Sequence, residues 1–224
     1  SAASDVYKRQ EYKREFIEFA IALEVLKFGS FTLKSGRNCP YFFDMGQFNS
    51  GEALQRIGGY YAAALIESAI NVDCLFGPAY KGIPLVSATA MTLAGEYGID
   101  LPYVFNRKEP KDHGEGGALV GAPLRGDVII VDDVITAGTA IQEAIMIIEQ
   151  RPACVVGVIV AIDRQERGQG EISATQELER EYGLSVISVV NLDNIVEYLT
   201  VSGSYQIELD ALYSYKSEFG IDSA

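Results

Sequence analysis

The spacing of hydrophobic and polar positions along the chain predicts a regular succession of helices and strands. Phe16, Leu23 and Leu26 belong to an apolar series at helical spacing, which predicts an amphipathic helix over 11–27. Helices are also predicted in six later segments: 52–68, 83–97, 140–150, 173–183, 193–199 and 206–218. Short apolar or aromatic runs predict strands at 31–33, 41–43, 74–77, 102–106, 119–122, 128–131, 154–162 and 185–190.

Strands and helices alternate through the centre of the chain, which is typical of an α/β fold with a mostly parallel sheet flanked by helices. Three strands are followed by unusual polar pairs: Tyr80-Lys81, Asp132-Asp133 and Asp163-Arg164. Open α/β sheets bind ligands beyond the carboxyl ends of their strands. We therefore expect the three pairs to meet at one edge of the sheet.

The segment 128–140 carries the most informative chemistry. Asp132 and Asp133 follow a buried strand, and a loop of Thr, Ala, Gly and Thr leads from them into a helix. Gly138 lets the backbone approach a ligand closely, and hydroxyl and N–H groups at a helix start bind phosphate. The acidic pair could also complement a helix dipole or hold a metal in a receiver domain. A ribose phosphate fits better, because it uses both the carboxylates and the phosphate cradle.

Bulk properties narrow the function classes. A chain of 224 residues with 48% hydrophobic content can form one globular domain. The net charge of −13 argues against a nucleic-acid or anionic-membrane partner, and no apolar stretch is long enough to span a bilayer. Residues 1–10 have no apolar period and are predicted to be a non-native flank, which leaves 11–224 as the domain. No secretory signal is visible, so we expect a cytoplasmic protein.

The cysteines and the cationic cluster add two expectations. Cys39, Cys74 and Cys154 are widely spaced, so no zinc site or disulfide frame is expected, and the last two are predicted core residues. Arg107, Lys108, Lys111 and the single histidine, His113, lie beside a Gly-rich stretch between two strands. A solvated charged hairpin is one interpretation. The alternative that we favour is a flexible β-hairpin lid that closes over an anionic substrate.

Several segments carry a resemblance to a known family. The segment 128–140 resembles the signature of type I phosphoribosyltransferases, which bind 5-phosphoribosyl 1-diphosphate (PRPP). The motifs at 31–36, 40–43, 76–82, 105–117 and 163–168 are similar to those of bacterial orotate phosphoribosyltransferases, over about 12–220. The resemblance implies the type I phosphoribosyltransferase fold with a small N-terminal hood formed largely by 11–50. It also implies a homodimer in which lid residues reach the neighbouring subunit's site.

The resemblance also assigns residues to ligands. It implies that the two aspartates hold the ribose, the following loop the 5-phosphate, and the turn after the first central strand the diphosphate. The implied PRPP-binding residues are Lys34, Tyr80, Lys81, Arg107, Lys108, Lys111, His113, Asp132, Asp133, Val134, Ile135, Thr136, Ala137, Gly138, Thr139 and Ala140. The implied orotate-binding residues are Phe42, Phe43, Thr136 and Arg164. By their residue types alone, Phe42 and Phe43 would be core, Lys34 a surface lysine and Arg164 an ion-pair partner of Asp163 or Glu166.

The expected activity is transfer of the phosphoribosyl group from PRPP to orotate, with Mg²⁺ held mainly by PRPP and water. The expected catalytic residues are Lys111, His113, Asp132 and Asp133. Two alternatives remain. One is a phosphoribosyltransferase that acts on a purine base, and the other is a PRPP-sensing regulator without catalysis.

Overall fold

The computed structural model describes residues 2–33, 35–111, 117–135, 138–168 and 170–221, with the backbone alone at 2–10, 110, 111 and 117. Its helices are α1 Ala2–Ala22, α2 Gly51–Ser68, α3 Gly82–Tyr97, α4 Thr139–Glu149, α5 Ala174–Tyr182, α6 Leu192–Ser202 and α7 Gln206–Phe219. Its strands are β1 Leu26–Thr32, β2 Asn38–Phe43, β3 Cys74–Gly77, β4 Tyr103–Lys111, β5 Gly117–Gly121, β6 Gly126–Val131, β7 Ala153–Asp163 and β8 Ser185–Asn191.

Six strands form the central sheet, in the order β5-β4-β3-β6-β7-β8. The pairs β3–β4, β3–β6, β6–β7 and β7–β8 are parallel, and β4–β5 is antiparallel. This confirms the predicted α/β fold and its mostly parallel sheet. The strands β1 and β2 form a separate antiparallel pair on the N-terminal side of the chain.

Helices cover both faces of the sheet, as the side chains of strand β6 show. Alternate side chains of a strand point to opposite faces. Ile129 and Val131 join the hydrophobic core that includes residues of α2, α3 and α6. Val128 and Ile130 join a second core that includes residues of α4. All four side chains are fully buried, as the run of β-branched residues predicted.

Two local signals in the sequence are confirmed at helix ends. Gly98 closes α3 in the left-handed conformation, with φ of 68°. Ser173 caps α5 by accepting a hydrogen bond from the Gln176 backbone N–H, and the Gln176 side chain binds back to Ser173.

Two predictions about the chain were wrong. The first helix ends at Ala22, so that Leu26 and Lys27 belong to β1, and it also runs through 2–10. Glu24 adopts a left-handed φ of 56°, and the Val25 N–H donates to Ala20 O at 2.8 Å, which ends the helix. Cys154 is exposed rather than in the core. It lies near the start of β7, where β8 does not yet pair, since that pairing begins at Gly157.

Candidate active site

The carboxyl ends of β3 and β6 bring Lys81 to the acidic pair. Strands β3 and β6 are parallel neighbours, and β7 follows β6 in the sheet. Lys81 Nζ lies 2.5 Å from Asp133 Oδ2. Arg164 directly follows β7, whose Ile162 also forms a bridge with Val134. The predicted meeting of Lys81 with the acidic pair at this edge of the sheet is therefore confirmed.

The backbone of Asp132 and Asp133 is fixed from two sides. The Asp132 N–H donates to Ile159 O at 3.0 Å, and Asp133 O accepts from the Ala161 N–H at 2.9 Å, which continues the pairing with β7. The buried Tyr61 hydroxyl, on α2, donates to Asp132 O at 2.8 Å. The Asp133 N–H also donates to Asp132 Oδ1 at 2.9 Å. Both carboxylates are thus presented in a rigid frame.

The two carboxylates differ in their electrostatics. Burial, reinforced by the charge of Asp133, raises the pKa of Asp132 to about 7. The Asp133 N–H, Lys81 and Lys108 oppose this rise. The hydrogen bond to Asp133 raises the pKa of Lys81, so Lys81 stays positively charged. The protonation of the Asp132 carboxyl therefore changes near neutral pH.

The turn between β3 and α3 is packed too tightly for side chains at its two glycines. A Cβ on Gly77 would lie 2.4 Å from Gly82 O, and one on Gly82 would lie 2.8 Å from Val131 O. The Ala79 N–H donates to the Asn106 side-chain oxygen at 2.8 Å, which attaches the turn to β4. The turn therefore projects Tyr80, which is 70% exposed, and Lys81 beside the acidic pair.

The loop after the acidic pair leads into the N-terminus of α4. Gly138 has a left-handed φ of 72°, which favours glycine, and its carbonyl accepts from the Gln142 N–H at 2.9 Å. Thr139 and Ala140 are exposed in the first helical turn, and Val134 and Ile135 are half-buried. Backbone N–H groups at such a position suit a phosphate. Thr136 and Ala137 lie outside the described residues.

The cationic cluster is described in part. Arg107 is half-buried on β4, and Lys108 is exposed next to it, close enough to Asp132 to lower the pKa of that carboxyl. The backbone of Lys111 ends the same strand. The Lys111 side chain and His113 lie outside the described residues, as does Lys34. The placement of these three predicted side chains stays a prediction.

The other predicted ligand residues lie around β2 and the end of β7. Phe42 is 40% exposed and packs on Phe31 with ring centroids 5.5 Å apart, whereas Phe43 is half-buried against Phe16. Arg164 forms a two-point ion pair with Glu166, with Nε–Oε1 at 2.8 Å and Nη2–Oε2 at 3.2 Å. That pair is the alternative that residue types alone had suggested for Arg164.

Four further residues support the site, and sequence analysis suggested a contact for only one of them, Glu166, as an ion-pair partner of Arg164 in the alternative interpretation. They are Tyr61, Asn106, Glu166 and Tyr215, and each makes a hydrogen bond to a site residue or to its partner. Asn106 and Glu166 lie within segments that resemble the family, but no local pattern pairs Tyr61, Asn106 or Tyr215 with partners that are 27 to 71 residues away in the chain. Only the polar character of Asn106, at the end of an apolar strand segment, is visible in the sequence.

Other features of the described residues lie away from this edge. An open cavity of about 400 Å³ lies at the amino ends of β6 and β7 and is lined by Leu119, Gly121, Ala122, Pro123, Leu124, Arg125, Arg151 and Pro152. The described part of the chain contains no cluster of three or more His, Cys, Asp or Glu residues that could hold a metal. No described helix is both long and apolar enough to cross a membrane.

Comparison with known proteins defines the class first. Residues 44–181 match the family model described as a phosphoribosyl transferase domain. The chain is also 58% identical over 210 residues to the orotate phosphoribosyltransferase of Photorhabdus laumondii, covering 94% of this chain and 99% of that protein. Within the phosphoribosyltransferases, the chain belongs to the orotate phosphoribosyltransferase family.

Solved structures agree with this assignment. The crystal structure of the Francisella tularensis orotate phosphoribosyltransferase is 44% identical, with a TM-score of 0.84, and covers 92% of this chain and 99% of its own. The Mycobacterium tuberculosis enzyme in complex with PRPP is 22% identical, with a TM-score of 0.59, and covers 82% of this chain and 98% of its own. The second likeness shows the shared fold.

Proposed function

We propose that this protein transfers the 5-phosphoribosyl group from PRPP to orotate, forming orotidine 5′-monophosphate and diphosphate in UMP biosynthesis. The observation that carries the proposal is the contact between Lys81 and Asp133, in a chain that belongs to the orotate phosphoribosyltransferase family. It places a cation and two carboxylates at the carboxyl edge of a parallel sheet, where such folds bind ligands.

The reaction exchanges one bond at the anomeric carbon of the ribose. N1 of orotate forms a bond to that carbon, the bond from the carbon to the diphosphate oxygen breaks, and the N1 proton is lost to solvent. Positive charge develops on the ribosyl group during the exchange. Asp132 and Asp133 accept hydrogen bonds from the ribose hydroxyls, and their negative charge favours the positive ribosyl group.

Departure of the diphosphate is the difficult part of the reaction, because negative charge accumulates on it. Lys81 lies in the turn that faces the acidic pair, and Arg107 and Lys108 approach from β4. In the proposal, Lys111 and His113 complete this group, and one of the two protonates the departing diphosphate. One positioned donor of this kind is typically worth about 3–4 kcal/mol of activation free energy.

The phosphate and the base occupy opposite sides of the ribose in this proposal. The 5-phosphate binds the loop that runs from Val134 through Thr136 and Ala137 to the α4 start at Gly138, Thr139 and Ala140. The base binds between the backbone of Phe42 and Phe43 and the Thr136 side chain, with Lys34 near the base and PRPP. Arg164 binds the carboxylate of orotate, since a guanidinium matches a carboxylate in shape and charge.

Mg²⁺ is the proposed cofactor, and the donor set in the site fits a metal that arrives with the substrate. Asp132 and Asp133 are two neighbouring carboxylates without a third acidic, His or Cys ligand among the described residues. One of them is already paired with Lys81. Mg²⁺ retains several waters and binds substrate phosphates, so PRPP and water supply most of its ligands. When bound, it neutralises charge on the diphosphate.

The proposed assembly is a homodimer in the cytoplasm. The segment between β4 and β5 acts as a lid, and its cations reach the active site of the neighbouring subunit. Closing the lid excludes water, which protects PRPP from hydrolysis. In this assembly, the active site of each subunit has its complete set of cations only when the partner subunit is present.

The test is an activity measurement with competing bases. Protein, PRPP, Mg²⁺ and orotate are mixed, and the loss of orotate absorbance is followed together with formation of diphosphate. We expect orotate to be consumed one for one with PRPP, and a large excess of hypoxanthine or adenine not to slow it. Consumption of a purine in place of orotate would support the first alternative. PRPP binding without turnover of any base would support the regulator.

A further inference from the structure

A polar cluster connects the predicted orotate ligand, Arg164, to the C-terminal helix α7. Its members are Arg164 and Glu166, which follow β7, Cys39 and Tyr41 on β2, and Tyr215 on α7. The Arg164 side chain is only 18% exposed, and its guanidinium lies 4.6 Å from the centre of the Tyr41 ring. Its Nη2 lies 3.2 Å from Cys39 Sγ. A cation this buried needs a defined set of partners.

Glu166 binds Arg164 and Tyr215 at the same time. Its Oε1 accepts from Arg164 Nε at 2.8 Å, and its Oε2 accepts from both Arg164 Nη2, at 3.2 Å, and the Tyr215 hydroxyl, at 2.5 Å. Burial, and then the hydrogen bond to Glu166, raises the pKa of Tyr215, so its hydroxyl remains a donor. The Tyr215 hydroxyl therefore holds the Glu166 carboxylate in place, and that carboxylate in turn orients the Arg164 guanidinium.

The contacts of the Arg164 guanidinium show which of its nitrogens remains for a ligand. Nε and Nη2 are bound by Glu166, and Nη2 also contacts Cys39. Tyr41 covers one face of the group. Nη1 is the nitrogen for which no partner is found within the described residues. Its orientation follows from the other contacts, because the guanidinium is planar and rigid.

The loop 164–167 is itself attached to the end of α7. The Arg167 N–H donates to Phe219 O at 2.8 Å, and the Ile221 N–H donates to Gln165 O at 3.0 Å. Gln165 adopts a left-handed φ of 48°, which is unfavourable for a residue with a side chain. Its side chain is held by two hydrogen bonds to Asp193, at 2.9 and 3.0 Å. The C-terminal segment thus determines where the Arg164 backbone lies.

We propose that Tyr215 and Glu166 are positioning residues for orotate, because they orient the Arg164 guanidinium toward the carboxylate of the base. This inference rests on the proposed function, in which Arg164 is the ligand of that carboxylate. It extends the base site to α7, some 50 residues beyond Arg164 in the chain. Among the described residues, Lys81, Asp132 and Asp133, which follow β3 and β6, make no hydrogen bond or ion pair with Tyr215, so we expect diphosphate and ribose binding to be independent of it.

The test measures the effect on KM for the base separately from the effect on KM for the sugar phosphate. Tyr215→Phe keeps the ring and removes the hydroxyl, so Glu166 and Arg164 lose one restraint. We expect KM for orotate, and KM for orotidine 5′-monophosphate in the reverse reaction, to rise by about tenfold, which is typical of one lost charge-assisted hydrogen bond. KM for PRPP and for diphosphate should stay within about twofold of the parent values, as should kcat.

Matched controls exclude a general loss of structure. Tyr213→Phe removes a hydroxyl from a half-exposed tyrosine of the same helix and should leave every KM unchanged. Phe219→Leu removes part of the packing against the Tyr215 ring without touching the hydroxyl, so it should lower thermal stability but not change KM for orotate. Glu166→Asp, which shortens the shared acceptor, should reproduce the Tyr215→Phe pattern and serves if that variant does not fold.

The Arg164→Ala variant distinguishes a failure of the positioning role from a failure of the proposed function. A large rise in KM for orotate with Arg164→Ala, together with no change for Tyr215→Phe and Glu166→Asp, would overturn the positioning role and leave the proposed function intact. An equal loss for all substrates in Tyr215→Phe would also overturn it, because that is the effect of a structural residue. No change in KM for orotate with Arg164→Ala would refute the assignment of Arg164 to the base.

Discussion

Lys81 Nζ and Asp133 Oδ2 are 2.5 Å apart, so the cation assigned to the diphosphate is bound to a carboxylate assigned to the ribose. The hydrogen bond with Asp133 raises the pKa of Lys81, which keeps Lys81 positively charged. In the proposed function, binding of PRPP exchanges these partners: Lys81 turns to the diphosphate, and Asp133 accepts from the ribose hydroxyls. The Lys81 side chain is 64% exposed, which leaves room for that movement.

Replacing Lys81 tests its role at the diphosphate. Lys81→Ala should lower kcat by about 100- to 1,000-fold, because one positioned donor to the accumulating negative charge is lost. KM for orotate should change little, since the proposal assigns Lys81 to the diphosphate and not to the base. Steady-state kinetics in the forward direction give both values. Lys27→Ala, which removes a surface lysine paired with Glu24, is the matched control and should behave as the parent. A Lys81→Ala variant with normal kcat would contradict the assignment.

Asp132 is predicted to reduce the stability of the fold near neutral pH. Its pKa is about 7 in the folded protein against an ordinary value of 3.8, so the unfolded chain loses this proton first. Stability therefore falls as pH rises from about 4 to about 7, and the full penalty persists above that. Asp132→Asn removes the charge and retains an oxygen that accepts from the Asp133 N–H.

The Asp132→Asn variant should thus be more stable than the parent by roughly 2–4 kcal/mol at pH 8, and by almost nothing at pH 3.5. Urea unfolding at several pH values measures the difference. The exposed Asp100→Asn is the control and should give no pH-dependent difference. Activity should fall, because the ribose loses a charged acceptor. A stability difference that is constant with pH would show that Asp132 ionises normally.

Asn106 is predicted to support PRPP binding from a distance. Its side-chain oxygen accepts from the Ala79 N–H, which fixes the turn that carries Tyr80 and Lys81. Asn106→Ala should raise KM for PRPP by about five- to tenfold, as expected for one lost hydrogen bond. KM for orotate should not change. Tyr103→Phe, at the start of the same strand, is the control. Equal effects on both substrates would indicate a general disturbance of β4 instead.

The shared lid is testable with two inactive variants. Lys111→Ala should lower kcat by about 100-fold or more, as should Asp133→Asn, since each removes a group from the proposed site. Mixing the two by unfolding and refolding should restore about a quarter of the parent activity, because half of the dimers then contain one intact site. If the mixture stays as inactive as its components, the lid does not act across subunits. Normal turnover by the Lys111→Ala variant would show that the lid cations take no part in the reaction.

Much of the fold follows from local patterns in the sequence. The β-branched run before Asp132, the left-handed Gly98 and the Ser173–Gln176 capping box each depend on neighbouring residues, and each is found where predicted. The end of α1 could not be predicted from local patterns. Leu26 continues the helical spacing of the residues before it, but Glu24 and Val25 close the helix and Leu26 begins a strand.

The supporting residues of the site depend on contacts between distant segments. Tyr61 has the spacing of a core residue in α2, and its hydrogen bond to the Asp132 carbonyl appears only when α2 packs on the central sheet. Tyr215 is one of several tyrosines in the last part of the chain, and only the fold distinguishes it from the half-exposed Tyr213. Residue type and spacing identified ligand candidates, whereas packing identifies the residues that hold them.

The central claim is that one pocket at the carboxyl edge of the sheet binds PRPP, with its ribose on the acidic pair. A crystal structure of the protein with PRPP, Mg²⁺ and orotate tests it most directly. We expect the ribose hydroxyls within hydrogen-bond distance of Asp132 and Asp133, with Lys81 moved from Asp133 to the diphosphate. PRPP bound elsewhere, or bound here with the Lys81–Asp133 pair intact and its diphosphate away from Lys81, would contradict the account.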